Sequence, residues 1–326
     1  MNQPDLLKFS HWLSILSGVV VLGFVGCLIM LSSPNSIEYL FVKKRITATL
    51  KDSLWRAPDT LLIPKTKQGE LIRYGRNLIG HTAKYLGPKG SVKQISNGMN
   101  CQNCHLDAGT RAFGNNYGSV AATYPKFRAR SGGIESIEKR VNDCIERSLN
   151  GIAIDSLSRE MRAMVAYISW LGKDVVKGNK AKGSGLIDLT FLDRAADATK
   201  GQVLYGQKCV TCHGKNGEGL KRIDGIEYLY PPLWGDHSFN VGAGLYRISN
   251  LAKYLYANMP LGAMFYEPQL TSEEAWDIAA YVVSLERPIK KFPHDWPKVE
   301  SKPVDHPFGP YADNLTEKQH KFGPFK

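Results

Sequence analysis

The sequence predicts an all-α fold of two tandem, similar units, and three observations carry that prediction. The pattern C-x-x-C-H occurs twice, as Cys101-Gln102-Asn103-Cys104-His105 and as Cys209-Val210-Thr211-Cys212-His213. Each copy is followed by an amphipathic helix of similar wording, Ala166-Tyr167-Ile168-Ser169-Trp170-Leu171 against Ala280-Tyr281-Val282-Val283-Ser284-Leu285. Between them lies a Lys/Gly-rich stretch over residues 177–185 with the composition of a linker.

The 326 residues give room for two compact domains, and the 43% hydrophobic fraction is that of a folded protein. The formal net charge of +12 favours an anionic substrate, an acidic redox partner or an anionic surface. That charge is spread along the chain without a basic block or a nucleic-acid motif, so nucleic acid is set aside as a partner. The C-x-x-C-H pattern attaches haem c: two thiols bond the porphyrin's vinyl groups and the histidine ligates iron. A zinc site would pool four ligands from the cysteine pairs and would not require a histidine after each. Two covalently bound haem c groups are therefore expected, on Cys101, Cys104 and His105 and on Cys209, Cys212 and His213. Of the six cysteines this leaves Cys27 and Cys144. Cys27 sits in an apolar run, so a structural disulfide between the two is not expected.

Taken in order, the chain begins with a membrane anchor or signal over residues 1–35. Residues 12–31 are twenty positions without a charge, enough for about 30 Å of helix. No A-x-A site follows, which favours an uncleaved transmembrane anchor over a cleaved signal. Lys43, Lys44 and Arg45 outweigh Lys8, which by itself would place the body inside the cell. Covalent haem attachment takes place on the outer side of the bacterial membrane, so the haem motifs overrule that bias and place the body in the periplasm. Residues 36–68 are a stalk and lead-in punctuated by Pro58 and Pro64. The first haem unit spans 69–180, the linker 181–192 and the second haem unit 193–288. Residues 289–326 are a C-terminal extension, either a loose end or a strap. Trp296, Phe308, Tyr311, Phe322 and Phe325 favour the strap, since disordered tails are poor in aromatics.

The two units form a diverged internal repeat. Tyr74-Gly75 and Tyr205-Gly206 mark an opening helix in each, and Tyr124-Pro125 and Tyr230-Pro231 follow the haem motifs. Met161, Met164, Val165, Ile168 and Leu171 keep a 3.6 period, as do Trp276, Ile278, Ala279, Val282 and Leu285. An opening helix, a haem motif, loops and a closing helix make the plan of a small all-α cytochrome c. With His105 and His213 as proximal ligands, function turns on the opposite side of each iron. In the second unit Met259, followed by Pro260, is the expected thioether ligand, with Met264 as the alternative.

The first unit has no Met at that place and offers Cys144 instead. The intervals agree: 39 residues from His105 to Cys144, 46 from His213 to Met259. His81, Met161 and Met164 are the other candidates. Residues 134–150 read as a helix with Ile134, Ile137, Val141, Ile145 and Leu149 inward, ended by Gly151. Arg140, Cys144 and Ser148 then share one face, and the arginine favours ionisation of the thiol. Arg128, Arg130, Arg140 and Arg147 surround this stretch. Arg130 and Arg140 are placed to grip a small oxyanion, though interspersed acids also suit a solvated face.

The segments Tyr124-Pro-Lys-Phe-Arg-Ala-Arg130-Ser-Gly-Gly and Arg140-Val-Asn-Asp-Cys144-Ile-Glu-Arg-Ser148-Leu-Asn-Gly151 resemble the bacterial dihaem thiosulfate dehydrogenases. So do Pro231-Pro-Leu-Trp-Gly, Ser238-Phe-Asn-Val-Gly-Ala-Gly244, and the tail's Pro307-Phe-Gly-Pro-Tyr311 and His320-Lys-Phe-Gly-Pro-Phe325. The resemblance runs from about residue 65 onward. It implies a first haem ligated by His105 and Cys144 that is the active site, with Arg130, Arg140 and Ser148 in the substrate pocket. It also implies that two thiosulfates are joined into tetrathionate, with some members running in reverse as tetrathionate reductases. Some relatives carry Lys before the Met of the second haem; this chain has Asn258, so Met259 is the simpler axial ligand. The expected partners are thiosulfate or tetrathionate as small anions, a small c-type cytochrome or other redox protein, and the membrane through the N-terminal helix. The rival readings are a dihaem electron carrier, a dihaem peroxidase and a SoxA-like sulfur-carrier-oxidising cytochrome.

Overall fold

The computed structural model describes residues 11–21, 24 and 53–326, which fall into two units, residues 1–54 and residues 55–326. In the first, residues 11–21 are helical and exposed. The expected transmembrane anchor over residues 12–31 is corrected here. Among the described residues no helix is long and apolar enough to cross a membrane. The described helical residues 11–21 rise about 16 Å, about half of a bilayer's hydrocarbon core. Residues 22–23 and 25–52, with Cys27, lie outside the described residues.

The second unit is mainly helical. Its main elements, apart from short helical turns, are α1 (Lys67–Gly80), β1 (Lys126–Arg128), β2 (Gly133–Glu135), α2 (Ile137–Arg147), α3 (Arg159–Leu171), α4 (Ala198–Lys208), β3 (Leu220–Lys221), β4 (Tyr228–Tyr230), α5 (Ile248–Asn258), α6 (Ser272–Ser284) and α7 (Glu317–Phe322). Two small antiparallel ribbons, β1–β2 and β3–β4, qualify the all-α expectation.

Each haem motif lies between an opening and a closing helix that cross each other, α1 on α3 and α4 on α6. Caps fix where the closing helices start. Ser158 accepts from the Met161 N–H, and Thr271 and Glu274 form a reciprocal capping box. The crossings depend on glycine. A Cβ on Gly75 would stand 1.9 Å from the Ala163 carbonyl oxygen, and one on Gly201 would stand 1.9 Å from that of Asp277. The Cβ atoms of Tyr167 and Tyr281 lie 2.9 Å from these same two positions, so the closing helices match as their wording suggests. The opening helices do not. The counterpart of Gly75 is Gly201, not Gly206, whose own Cβ position is open.

Two apolar cores follow. One gathers Leu78, Ile79, Ile145, Met161, Met164, Tyr167 and Leu171, and the other Tyr205, Ile248, Leu255, Trp276, Ile278 and Val282. Residues 289–326 run across both halves. Asp305, 1% exposed, accepts from the Arg247 guanidinium and from the Ser249 N–H. Phe325 packs on Trp276 and Phe191, with ring centres 6.0 and 4.9 Å away. His320 stacks on Tyr311 at 3.6 Å.

Candidate active site

The helix expected over residues 134–150 is shorter, because Ser136 caps it and Ile134 belongs to β2. Ile134 is 72% exposed rather than inward. Within α2 and its C-cap, Arg140, Cys144 and Ser148 do share a face, and all three line one cavity of about 320 Å³. Cys101, Cys104 and His105 line the same cavity. The His105 Nδ1–H donates to the Asn115 carbonyl at 2.5 Å, and Tyr117 stacks on the ring at 4.6 Å. That donation leaves Nε2 as the nitrogen free to serve as a ligand. Cys144 and the His105 ring line this cavity together and interact electrostatically. Of the other candidates, Met164 also lines the cavity, Met161 is wholly in the core, and His81 pairs with Glu227 at 3.0 Å.

The three thiols of this cavity differ electrostatically. Before haem is attached, burial pushes Cys101 up to about 11 and Cys104 up to about 12. Burial also acts to raise Cys144, but the Arg140 guanidinium and the His105 ring outweigh it and bring that thiol down to about 7. Arg140 is in turn held protonated, chiefly by the Cys144 thiolate and against its own burial.

A second cavity, about 270 Å³, is lined by Cys209, Cys212, His213 and Met259. The His213 Nδ1–H donates to the Pro231 carbonyl at 2.9 Å, repeating the arrangement at His105. Met264 is 41% exposed and is not among the lining residues. Met99, Asn103 and Cys104 of the first half also line this cavity, so the first haem motif forms part of the second wall. The Tyr254 hydroxyl donates to the Asn103 carbonyl at 2.9 Å, and the Asn258 amide to the Phe113 carbonyl at 3.1 Å. Both cavities fit haem c. Each has two thiols on one wall, an imidazole oriented by its other nitrogen, and a sulfur ligand candidate.

A third cavity, about 260 Å³ and polar, adjoins the first, since Cys104, His105, Asn115, Arg140, Cys144 and Ser148 line both. Arg130 enters here, and it is mostly buried. Burial, reinforced by Arg147 and Arg140, brings its guanidinium down to about 10. Arg147 also lines it and is committed elsewhere, donating twice to Asp295 at 2.8 Å while lying 3.6 Å from the Phe292 ring. Sequence reasoning missed Asn250 and Lys253 of α5, which complete this cavity from the second half. They stand three residues apart on one helix face, but nothing local ties that face to Cys144.

Residues 91–175 match the SoxA/TsdA cytochrome c domain, and residues 198–286 match cytochrome c. A thiosulfate dehydrogenase of Psychrobacter arcticus is 39% identical over 253 residues, 77% of this chain and 74% of that protein. The chain belongs to the thiosulfate dehydrogenase family. The thiosulfate dehydrogenase of Allochromatium vinosum is 38% identical over 72% of this chain and 85% of its own length. The solved thiosulfate dehydrogenase (TsdBA) from Marichromatium purpuratum superposes with a TM-score of 0.68 at 32% identity over 78% of this chain. This chain spans 52% of that one. The protein is accordingly a dihaem, thiosulfate-oxidising cytochrome with two covalently bound haem c groups.

Proposed function

We propose that the chain interconverts thiosulfate and tetrathionate at the Cys144 sulfur, in the periplasm. The observation that carries this reading is the placement of His105 and Cys144 on one cavity whose polar extension presents Arg130, Arg140 and Ser148. Cys101 and Cys104 would hold the first haem, with His105 and Cys144 offered to its iron, and Cys209 and Cys212 would hold the second, with His213 and Met259. When bound, the two haems supply one-electron acceptors, one electron each.

The Cys144 thiolate forms an S–S bond to the sulfane sulfur of one thiosulfate, giving Cys144–S–S–SO₃⁻ and releasing two electrons. A second thiosulfate attacks that sulfane sulfur. The Cys144–S bond breaks, the thiolate is restored, and tetrathionate leaves. A dianion must approach first the thiolate and then the adduct's sulfonate, so anion–anion repulsion is a large part of the barrier. Arg130 and Arg140 offset it by holding the first sulfonate in a buried, fixed position, with Ser148 as a further donor. The His213/Met259 half relays electrons to a small c-type cytochrome or similar redox protein outside the chain.

The test is thiosulfate-dependent haem reduction and tetrathionate formation by the purified dihaem protein alone. The Cys144→Gly variant is expected to keep both haems and lose turnover. Turnover retained in that variant would overturn the assignment. A need for a protein-bound cysteine as substrate would favour a sulfur-carrier oxidase.

A further inference from the structure

The polar cavity beside Cys144 is closed from the far side by α5, and that helix brings two groups the reaction above has not used. Asn250 and Lys253 line it three residues apart on the same face. The helix is held in place against the first half. Tyr254 donates to the Asn103 carbonyl, and Asn258 to the Phe113 carbonyl. The position of Lys253 relative to Cys144 is therefore set by hydrogen bonds and not by chance packing.

The charges of the cavity are unevenly committed. Arg147 is saturated by its paired bonds to Asp295. Asp143, the acid in the lining, is neutralised by Lys139. Among the described residues Lys253 pairs with Asp188 alone, at 3.3 Å, and that carboxylate is fully exposed on the segment joining the halves. An ion pair with so solvated a carboxylate is worth little and opens readily. Asn250 spends one amide N–H on the Gly244 carbonyl at 2.9 Å and keeps the other.

We propose that Lys253 and Asn250 form a second anion subsite. It holds the sulfonate of the attacking thiosulfate, which becomes the far sulfonate of tetrathionate. This rests on the reading of Cys144, Arg130 and Arg140 as the first site. Tetrathionate carries a sulfonate at each end, and a single cationic cluster neutralises only one of them. A cation on the opposite wall holds the second dianion with its sulfane sulfur toward the Cys144 adduct. It makes tetrathionate a ligand bound by both halves of the chain.

The experiment uses the full dihaem protein and its Lys253→Met, Lys253→Arg and Asp188→Asn variants. Steady-state kinetics, equilibrium binding of tetrathionate to the oxidised protein, the mass of the adduct on Cys144 and the haem potentials are measured together. Lys253→Met is expected to raise the thiosulfate KM and the tetrathionate Kd by about tenfold, as loss of a charged hydrogen-bond donor would. Capture of one thiosulfate on Cys144 and both haem potentials should stay as in the parent. Lys253→Arg should restore most of the affinity, and Asp188→Asn should lower KM by freeing the ammonium. Unchanged KM and Kd in Lys253→Met would overturn the subsite. Asp188→Asn mimicking Lys253→Met would also overturn it by making the pair structural. A shifted haem potential would overturn it too, assigning Lys253 to a haem propionate. A parent protein that forms neither adduct nor tetrathionate would instead overturn the underlying reaction.

Discussion

The main-chain N–H of Trp296 donates to the carbonyl oxygen of Arg130 across 2.6 Å, and the Arg130 guanidinium lies 5.7 Å from the Trp296 ring. The C-terminal extension thus holds a proposed substrate-binding arginine by both its backbone and its side chain. Trp296 adopts φ +60°, a left-handed conformation that an unbranched residue tolerates better than a β-branched one. Trp296→Leu keeps the main-chain bond and removes the ring. The lost cation–π contact is worth about 0.5–2 kcal/mol, so KM for thiosulfate should rise roughly 2- to 30-fold, with kcat changing less. Steady-state kinetics on the folded dihaem variant checks this. An unchanged KM would mean that the strap does not position Arg130.

Arg147 tests the stability of the same wall. Its side chain is nearly buried, bonds Asp295 through both terminal nitrogens and lies against Phe292. Its Nε finds no bond and stands 3.9 Å from the buried Asp143. Arg147→Met would strand the Asp295 carboxylate and should cost about 3–5 kcal/mol, read as a lower Tm. Arg147→Lys should recover only part of that, because an ammonium cannot make the paired bonds. Full recovery by lysine would reduce the contact to simple charge.

Much of this architecture was legible in the sequence because its strongest signals are local. The two C-x-x-C-H motifs and the 3.6-residue period of the closing helices need no tertiary information. The shared face of Arg140, Cys144 and Ser148 was likewise fixed by helix geometry, even though α2 proved shorter than the apolar pattern suggested. Ile134 was misplaced since a β-branched apolar residue two positions before a cap fits a strand as well as a helix. The Gly75 counterpart was misread because Tyr205-Gly206 copies its wording, while the helix crossing selects Gly201 by carbonyl approach. Lys253 and Asn250 were invisible for a different reason. Their meaning comes from a cavity assembled from segments over a hundred residues apart. The uncharged run over residues 12–31 set the anchor expectation, and among the described residues no helix is long and apolar enough to cross a membrane.

His306 gives the strap a pH dependence. Its Nδ1–H donates to the Phe308 carbonyl at 3.1 Å, while Nε2 accepts from the Trp296 indole N–H at 3.0 Å, an arrangement open only to the neutral ring. Burial, with Lys302, Arg247 and Arg130 nearby, brings its pKa from 6.5 down to about 4. The unfolded chain therefore takes up the proton more readily than the folded one between those values. The stability this group contributes is complete above 6.5 and is lost as the pH falls toward 4. Tm should decline between about pH 6.5 and 5, where most carboxylates remain ionised. In His306→Gln that slope should flatten. An equal slope in both proteins would place the acid sensitivity elsewhere.

The glycine crossings provide a prediction with an internal control. Adding a Cβ at Gly75 or Gly201 sets it 1.9 Å from a backbone carbonyl oxygen, and backbone cannot swing aside as a side chain end would. Either helix pair must spread, loosening the wall that carries its haem motif. Gly75→Ala and Gly201→Ala should each cost about 1–3 kcal/mol, and more if the haem cavity opens. Gly206 sits on α4 as well, but it is exposed and nothing lies within 4 Å of its Cβ position. There alanine removes the helix penalty of glycine and should stabilise by up to about 1 kcal/mol. Thermal unfolding of the three dihaem variants separates these effects. A destabilising Gly206→Ala with a neutral Gly201→Ala would reverse the assignment of the crossing and restore Tyr205-Gly206 as the counterpart of Tyr74-Gly75.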